Sequence, residues 1–515
     1  MKHISLDLTP EQYYIPELLH QVAAKHLGVC ADDVASINVT RRTLDCRHQP
    51  VYHTDIDVYL QGDTPPAIEH IQFKPVSATA PRIIIVGAGP AGLFAALRAI
   101  ELGMRPIIIE RGKPVEERKY DIARLTREQF VNPDSNWCFG EGGAGTYSDG
   151  KLYTRSTKRG DVSRVLRLFV AHGADPNIML DAHAHIGTDR LSPIISRMRK
   201  TIEECGGEYH FNSRVVDLLV RDGHIYGIVD AGGTRFEGSS VILATGHSAR
   251  DIYHLFHRHG WLLEVKPFAL GVRIEHPQEL INEIQYHGRR YSQFLPPAAY
   301  SLTTQTGTHG VFSFCMCPGG VIVPAATADG QQVVNGMSNS RRNSQYANSG
   351  IAVSVSLNDV ADTDVFALLR FQQAVEEQMF HVGGDSISAP TQRLVDFLQR
   401  RSSSHLNPTG YMGQVVAAPL HELLPPFIVD SLTQGFLDFD RKMHGFVTEE
   451  ASLLAVESRT SSPIRIPRDK ETLQHPQLHG LYPCGEGAGY AGGIVSSALD
   501  GIRCAEAAKN MTTSA

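Results

Sequence analysis

Residues 82–111 read RIIIVGAGPAGLFAALRAIELGMRPIIIER, and this stretch decides the fold. RIIIV is a short, β-branched apolar run, the pattern of a strand buried on both faces of a parallel sheet. PAGLFAALRAIELG follows, built from strong helix formers and closed by Gly103. RPIIIER is a second buried strand. Gly87, Gly89 and Gly92 fall between the first strand and the helix, and Glu110 ends the second strand. In that βαβ setting each position has a physical task. Gly87 permits the tight turn, Gly89 lets a pyrophosphate approach the backbone, and Gly92 lets helix and strand pack closely. The free N–H groups and positive dipole end of the helix face the phosphates. Glu110 is placed to accept hydrogen bonds from ribose hydroxyls. The motif predicts a dinucleotide site with contacts from Gly87, Ala88, Gly89, Pro90, Ala91, Gly92, Glu110 and Arg111.

Three distant segments favour FAD over a nicotinamide dinucleotide. ILATG, residues 242–246, is a buried strand ending in small residues, so Ala244, Thr245 and Gly246 can pass close to a cofactor. CGEGAGYAGGIVSSALDG begins at Cys484. There Gly485, Gly492, Gly493 and Ile494 bring backbone and a helix N-terminus to an isoalloxazine, and Glu486 is placed at the ribityl or pyrophosphate side. FGEGGAGTYSDGKLYTR, residues 139–155, is a long glycine-rich loop that offers Gly143, Ser148 and Lys151. A nicotinamide site alone needs no such extra clusters. No second complete GxGxxG–acid unit exists, so a resident NAD(P) domain is not expected. NAD(P)H is left as a transient electron donor.

Around this core the chain of 515 residues divides. Residues 1–74 read as a small α+β unit, with a helix over 11–27 and strands at 36–46 and 51–60. PVSATAP reads as a linker. Residues 82–261 form the first part of a Rossmann-like FAD-binding domain, a parallel sheet plus a β-meander. Residues 262–470 suit an inserted α+β substrate domain, and 471–515 return to the FAD domain. The fold class is α/β. A net charge of −7 gives no general attraction to nucleic acid. The N-terminus lacks a signal-peptide pattern, no apolar run reaches membrane length, and eight scattered cysteines form neither a disulfide framework nor a zinc pattern. A cytoplasmic protein without a metal is the expectation, with oligomeric state left open.

Beyond these motifs, FGEGGAGTYSDGKL, HIGTDRL, ATGHSARD, FSFCMCPGG, VVNGMSNSRRNSQYANSG and GEGAGYAGGI resemble a bacterial family of FAD-dependent, NAD(FAD)-utilising dehydrogenases. That family lies within the flavoprotein superfamily of glutathione reductase and p-hydroxybenzoate hydroxylase. The resemblance spans roughly residues 35–510. It implies fold and cofactor but no substrate, and it places Val215 or Val216 against the adenine through backbone. Gly485–Glu486 stands where flavin hydroxylases often carry Gly-Asp, which leans toward the reductase and dehydrogenase branches.

The expected activity is hydride transfer between a small molecule and flavin N5. The alternatives are a flavin-binding, RNA-associated or regulatory module, motivated by the N-terminal unit, and an FAD monooxygenase. His185 and His247 are proton-transfer candidates, against the plainer reading of hydrogen-bonded loop histidines. Arg341, with Arg342, is a candidate for binding a carboxylate or phosphate. Lys151 and Arg155 are candidates for FAD phosphates or a substrate anion. Cys315 and Cys317 form a CxC pair, read first as two buried small hydrophobes and second as a redox pair. Arg41 and Arg42 read as residues of a solvated strand face.

Overall fold

The structure is a computed structural model describing residues 1–64, 71–154, 160–288 and 293–513. Arg82–Val86 is the middle strand of a five-stranded parallel sheet. Its neighbours are Arg105–Ile109 and then Glu208–His210 on one side, Ser240–Leu243 and then Leu481–Pro483 on the other. Ile83, Ile84, Ile85 and Val86 are all buried, as a strand covered on both faces requires. The helix Pro90–Glu101 lies across one face and packs against the C-terminal helix Ile494–Thr513. That packing is close enough that a Cβ on Gly501 would stand 2.0 Å from the Ala91 carbonyl oxygen. Val215–Arg221, His224–Asp230 and Arg235–Glu237 form the antiparallel meander. The fold is thus the Rossmann-like parallel sheet and meander expected of a dinucleotide-binding α/β protein.

A seven-stranded sheet occupies the middle of the sequence. In spatial order its strands are Thr303–Thr306, His309–Cys317, Tyr346–Val355, Phe268–Pro277, Ser452–Glu457, Ala389–Arg393 and Val415–Ala417. All pairs are antiparallel except the last. The helix Pro426–Lys442 buries Ile428, Leu432, Phe436 and Phe439 in the same apolar cluster as Leu270, Val272 and Ile351 of the sheet. A separate hairpin, Val321–Pro324 with Val334–Met337, stands beside it.

At the N-terminus, Lys2–Leu8, Val51–Leu60 and Val34–Asp45 make a three-stranded antiparallel sheet. The single expected helix is two, Pro10–Tyr14 and Pro16–Leu27. Pro16 forces Ile15 into an extended conformation, φ −95° and ψ 107°, which breaks the helix. Arg41 is exposed as expected, but Arg42 is not on a solvated face. Its guanidinium pairs with Asp181 and donates to Tyr13 Oη at 2.8 Å, and its backbone bonds to Leu180 and Ala182. The partner carboxylate lies 139 residues away, beyond the reach of local pattern. Among the described residues, no helix is long and apolar enough to cross a membrane.

Candidate functional site

A cavity of about 310 Å³ opens at the carboxyl end of Arg82–Val86 and extends into the seven-stranded sheet. Gly87, Gly89, Pro90, Ala91, Glu110 and Arg111 line its near end. Gly87 has φ +104°, and a Cβ there would lie 2.4 Å from the Ala244 carbonyl oxygen, so the turn admits only glycine. Gly92 is behind the wall: its Cβ would meet the Gly87 carbonyl oxygen at 1.9 Å, so its task is packing. Ala88 is fully buried and is not among the residues that line the cavity. Its N–H donates to Glu110 Oε2 at 2.8 Å. Glu110 Oε1 accepts from the Gly112 and Gly140 N–H groups at 2.9 and 3.1 Å. The Glu110 carboxylate therefore ties the motif to the glycine-rich loop, leaving capacity for one more donor.

Gly143, Ser148, Lys151, Val215, Ala244, Thr245, Gly246, Glu486, Gly492, Gly493 and Ile494 also line the cavity. The structure thus gathers the three glycine-rich segments on one space. Val215 faces it, whereas Val216 is 38% exposed and points elsewhere. Gly485 stands just behind, its N–H bonded to Asp500 Oδ2 at 2.8 Å. Arg155 lies outside the described residues.

The loop after Asn136 is shaped by a residue the motifs do not show. Arg118 is fully buried and donates to five backbone carbonyls, those of Asn136, Trp137, Gly140, Glu141 and Gly143, at 2.8 to 3.3 Å. The available signal was helical spacing: Val115, Arg118, Ile122 and Leu125 share the buried face of one helix.

The cavity's far wall comes from Phe314, Cys315 and Cys317, with Asn335 and Gly336 of the hairpin. The CxC strand is not regular. A bulge between Phe314 and Cys317 puts Cys315 at φ +44°, and its side chain faces the cavity instead of the core. Only Cys317 matches the reading of a buried small hydrophobe. Burial pushes the Cys315 thiol up to about 12. Arg273, fully buried, donates to the Cys315 carbonyl at 2.7 Å and pairs with Glu457 at 2.6 Å.

Lys151 stands where the two halves meet. Its ammonium lies 2.9 Å from Asp149 Oδ2 and donates to the Met316 carbonyl. Asp149 also accepts from Ser338 Oγ and from Arg342 Nε and Nη2, the latter two at 2.9 and 2.5 Å. Burial would raise the Asp149 carboxyl, but the Lys151 and Arg342 charges hold it well below the usual range. Burial alone would lower Lys151; the Asp149 charge raises it, so it stays protonated. Arg341, by contrast, is exposed and outside the cavity wall. His185 pairs by backbone with Lys151 but sits behind the wall, with Nε2 3.2 Å from the Ser340 carbonyl oxygen. Burial, then the Arg342 charge, pushes it down to about 4.

His247 does line the cavity. Burial and the Arg459 and Arg250 charges push it down to about 4. Its Nδ1 is 2.9 Å from Ser248 Oγ, and its Nε2 is 4.0 Å from Glu486 Oε2. Burial pushes the Glu486 carboxyl up to about 7. Arg459, which sequence reasoning also missed, reaches this wall from the chain after Ser452–Glu457. It is held by Glu376, Thr327 and Gln331 at 2.6 to 3.2 Å.

The residues present fit FAD. The helix N-terminus opens into the cavity with no acidic residue in its first turn, the right electrostatics for a diphosphate. A Cβ on Gly89 would find nothing nearer than Gly143 Cα at 3.8 Å, so the space there is kept for something other than protein. Fold and site define an FAD-binding flavoprotein. In agreement, residues 82–118 match the family described as FAD binding domain, and 267–460 match FAD-dependent protein, C-terminal domain-like. Residues 1–59 match a domain of unknown function. The chain belongs to the same family as a Clostridium beijerinckii protein carrying the name "Uncharacterized protein", with which it is 37% identical over 510 residues, 95% of each chain. Among solved structures, it is similar to Mycobacterium smegmatis Sdh1 in complex with UQ1, at 16% identity and a TM-score of 0.38, covering 85% of this chain and 69% of that one. It is also similar to E. coli quinol fumarate reductase, at 13% identity and 0.37, covering 84% and 70%. For CtdE in complex with FAD the values are 12% and 0.31, with 82% of each chain covered.

Proposed function

We propose that the protein is an FAD-dependent oxidoreductase of the dehydrogenase or reductase type, in which a hydride passes between a small molecule and flavin N5. The observation that carries this reading is the continuity of one cavity, lined at one end by the dinucleotide motif and at the other by Phe314, Cys315 and Asn335. FAD, when bound, supplies the two-electron chemistry. On this reading residues 82–261 and 471–515 hold the cofactor, and 262–470 supply the substrate wall.

The chain's own side chains divide the remaining tasks. Gly87, Gly89 and the helix start hold the diphosphate. Arg273 and Lys151 fix the backbone of the Cys315 bulge, and so the position of the substrate wall. For the proton, His247 is the better placed of the two histidines, since it faces the cavity and His185 does not. Near neutral pH His247 is uncharged and can accept a proton. Glu486 Oε2 lies 4.0 Å from His247 Nε2, and burial pushes its carboxyl up to about 7, so it adds a second titrating group on the same wall.

The test is anaerobic. Purified protein is expected to be yellow and to hold FAD. Its flavin absorbance is expected to bleach with a donor from a panel of NADH, NADPH and small organic acids and alcohols. A chain that holds FAD but is bleached by none of these, and whose chemically reduced form is reoxidised by no organic acceptor, refutes the assignment.

A further inference from the structure

The charges around Lys151 do not balance. Four carboxylates line the cavity among the described residues, and three are committed elsewhere. Glu110 holds three backbone amides, Asp251 pairs with Arg111, and Glu486 faces His247. Only Asp149 meets Lys151, and it already carries Arg342. The groups packed against this centre add no second negative charge. His185 is neutral, Arg273 and Glu457 cancel, and burial keeps the thiols of Cys315 and Cys317 protonated. Asp189 turns to the Ser340 N–H and hydroxyl. Two cations therefore share one carboxylate, leaving one positive charge in excess on the cavity wall, which a bound anion would neutralise. An ammonium has three N–H donors, and those of Lys151 are taken by Asp149 and the Met316 carbonyl, leaving one. Beside it the far wall is Phe314, Cys315, Cys317 and Gly336, with the amide of Asn335 as its one strongly polar group.

We propose that this end of the cavity is built for a small organic anion with an apolar body, a monocarboxylate in the simplest case. Its carboxylate takes the remaining N–H of Lys151, and its body lies against Phe314, Cys315 and Cys317. The inference rests on the oxidoreductase reading above and names its substrate class. It assigns Lys151 to the substrate and not to the cofactor phosphates.

The experiment compares propionate and benzoate with propionamide and benzamide on the FAD-loaded protein, by calorimetry and by the flavin difference spectrum. The acids are expected to bind at least about tenfold more tightly than the amides, the worth of one charge-assisted hydrogen bond. Lys151→Gln is expected to weaken the acids by at least about tenfold while FAD content stays unchanged, and Lys151→Arg is expected to retain most of the affinity. Acids and amides binding alike, no binding of either acid, or a Lys151→Gln variant that loses FAD but keeps acid affinity would each overturn the proposal. A wild-type chain that never retains FAD sinks the functional reading instead, so the two failures are distinguishable.

Discussion

Gly89→Ala separates what the chain needs to fold from what it needs to hold FAD. Gly89 has φ −76° and ψ −175°, an extended conformation open to any residue. The new methyl would have only Gly143 Cα near it, at 3.8 Å. Alanine is a poorer helix N-cap than glycine by something under about 1 kcal/mol. Stiffening the unfolded chain returns about 0.4–1 kcal/mol. The net effect on the apoprotein is near zero, and its melting temperature should move by no more than about 2 °C. For the cofactor the methyl stands where the diphosphate approaches the backbone. Loss of one charge-assisted hydrogen bond, about 1.5–3 kcal/mol, weakens FAD roughly tenfold to 150-fold. Gly87→Ala is the counterpart. Its φ of +104° costs an L-residue about 1–2 kcal/mol, and the 2.4 Å approach to the Ala244 carbonyl oxygen adds an overpacking term of about 1–3 kcal/mol. That variant should be unstable even without cofactor. The assays are melting of apoprotein by circular dichroism and FAD titration by quenching of flavin fluorescence. If Gly89→Ala binds FAD within threefold of wild type, the assignment of this gap to the diphosphate is wrong.

Two further outcomes follow from buried charge. Arg273→Met strands Glu457 inside the sheet and should cost about 3–5 kcal/mol in denaturant unfolding, with Arg273→Met/Glu457→Met recovering much of it; a small loss in the single variant would contradict a fully buried pair. Glu486, pushed up to about 7, keeps its proton in the folded state while the unfolded chain loses it near 4.3, so its contribution is full below that value and is lost as pH rises to about 7. Glu141 and Glu275 are also pushed up to about 7, so the informative quantity is the difference between wild type and Glu486→Gln, which should flatten part of the decline in melting temperature between pH 5 and pH 8. An identical pH profile in the variant would exclude Glu486 as a titrating group.

The cofactor half of the site was legible because its physics is local. A buried strand, three glycines at fixed offsets, a helix start and an acidic strand end lie within 30 residues, 82–111. The other glycine clusters could be read as backbone left bare for a ligand, and all three converge on the cavity. The long-range ion pairs behind the far wall were not legible, because each partner lies far along the chain. Asp149 is joined to Arg342 across 193 residues, and Arg273 to Glu457 across 184. Sequence reasoning put Arg341 first at that loop, yet Arg341 is exposed and Arg342 makes the pair. Nothing in SRRN distinguishes the two, since the choice depends on which side chain the loop turns inward. Arg42 and Arg459 escaped for the same reason.

The substrate wall shows why such long-range charge is kept. Cys315 and Arg342 are both non-glycine residues at positive φ, +44° and +50°, and both touch the Asp149–Lys151 centre or its neighbours. Each such conformation costs about 1–3 kcal/mol and persists only where surrounding contacts over-determine it. Arg273 grips the Cys315 carbonyl, Lys151 grips the next one, and Asp149 holds the Arg342 guanidinium through two nitrogens. Arg273 is itself fixed by Glu457 and by Asn348 Oδ1 at 2.8 Å, and Gly336 leaves room for it: a Cβ there would lie 2.1 Å from Arg273 Nη2. A purely apolar packing could fill this volume as well or better. What it could not do is pin two successive carbonyls of a bulged strand so that a thiol and a phenyl ring are held against one cavity at fixed positions. The buried ion pairs are therefore better understood as geometry for the wall than as stability for the fold.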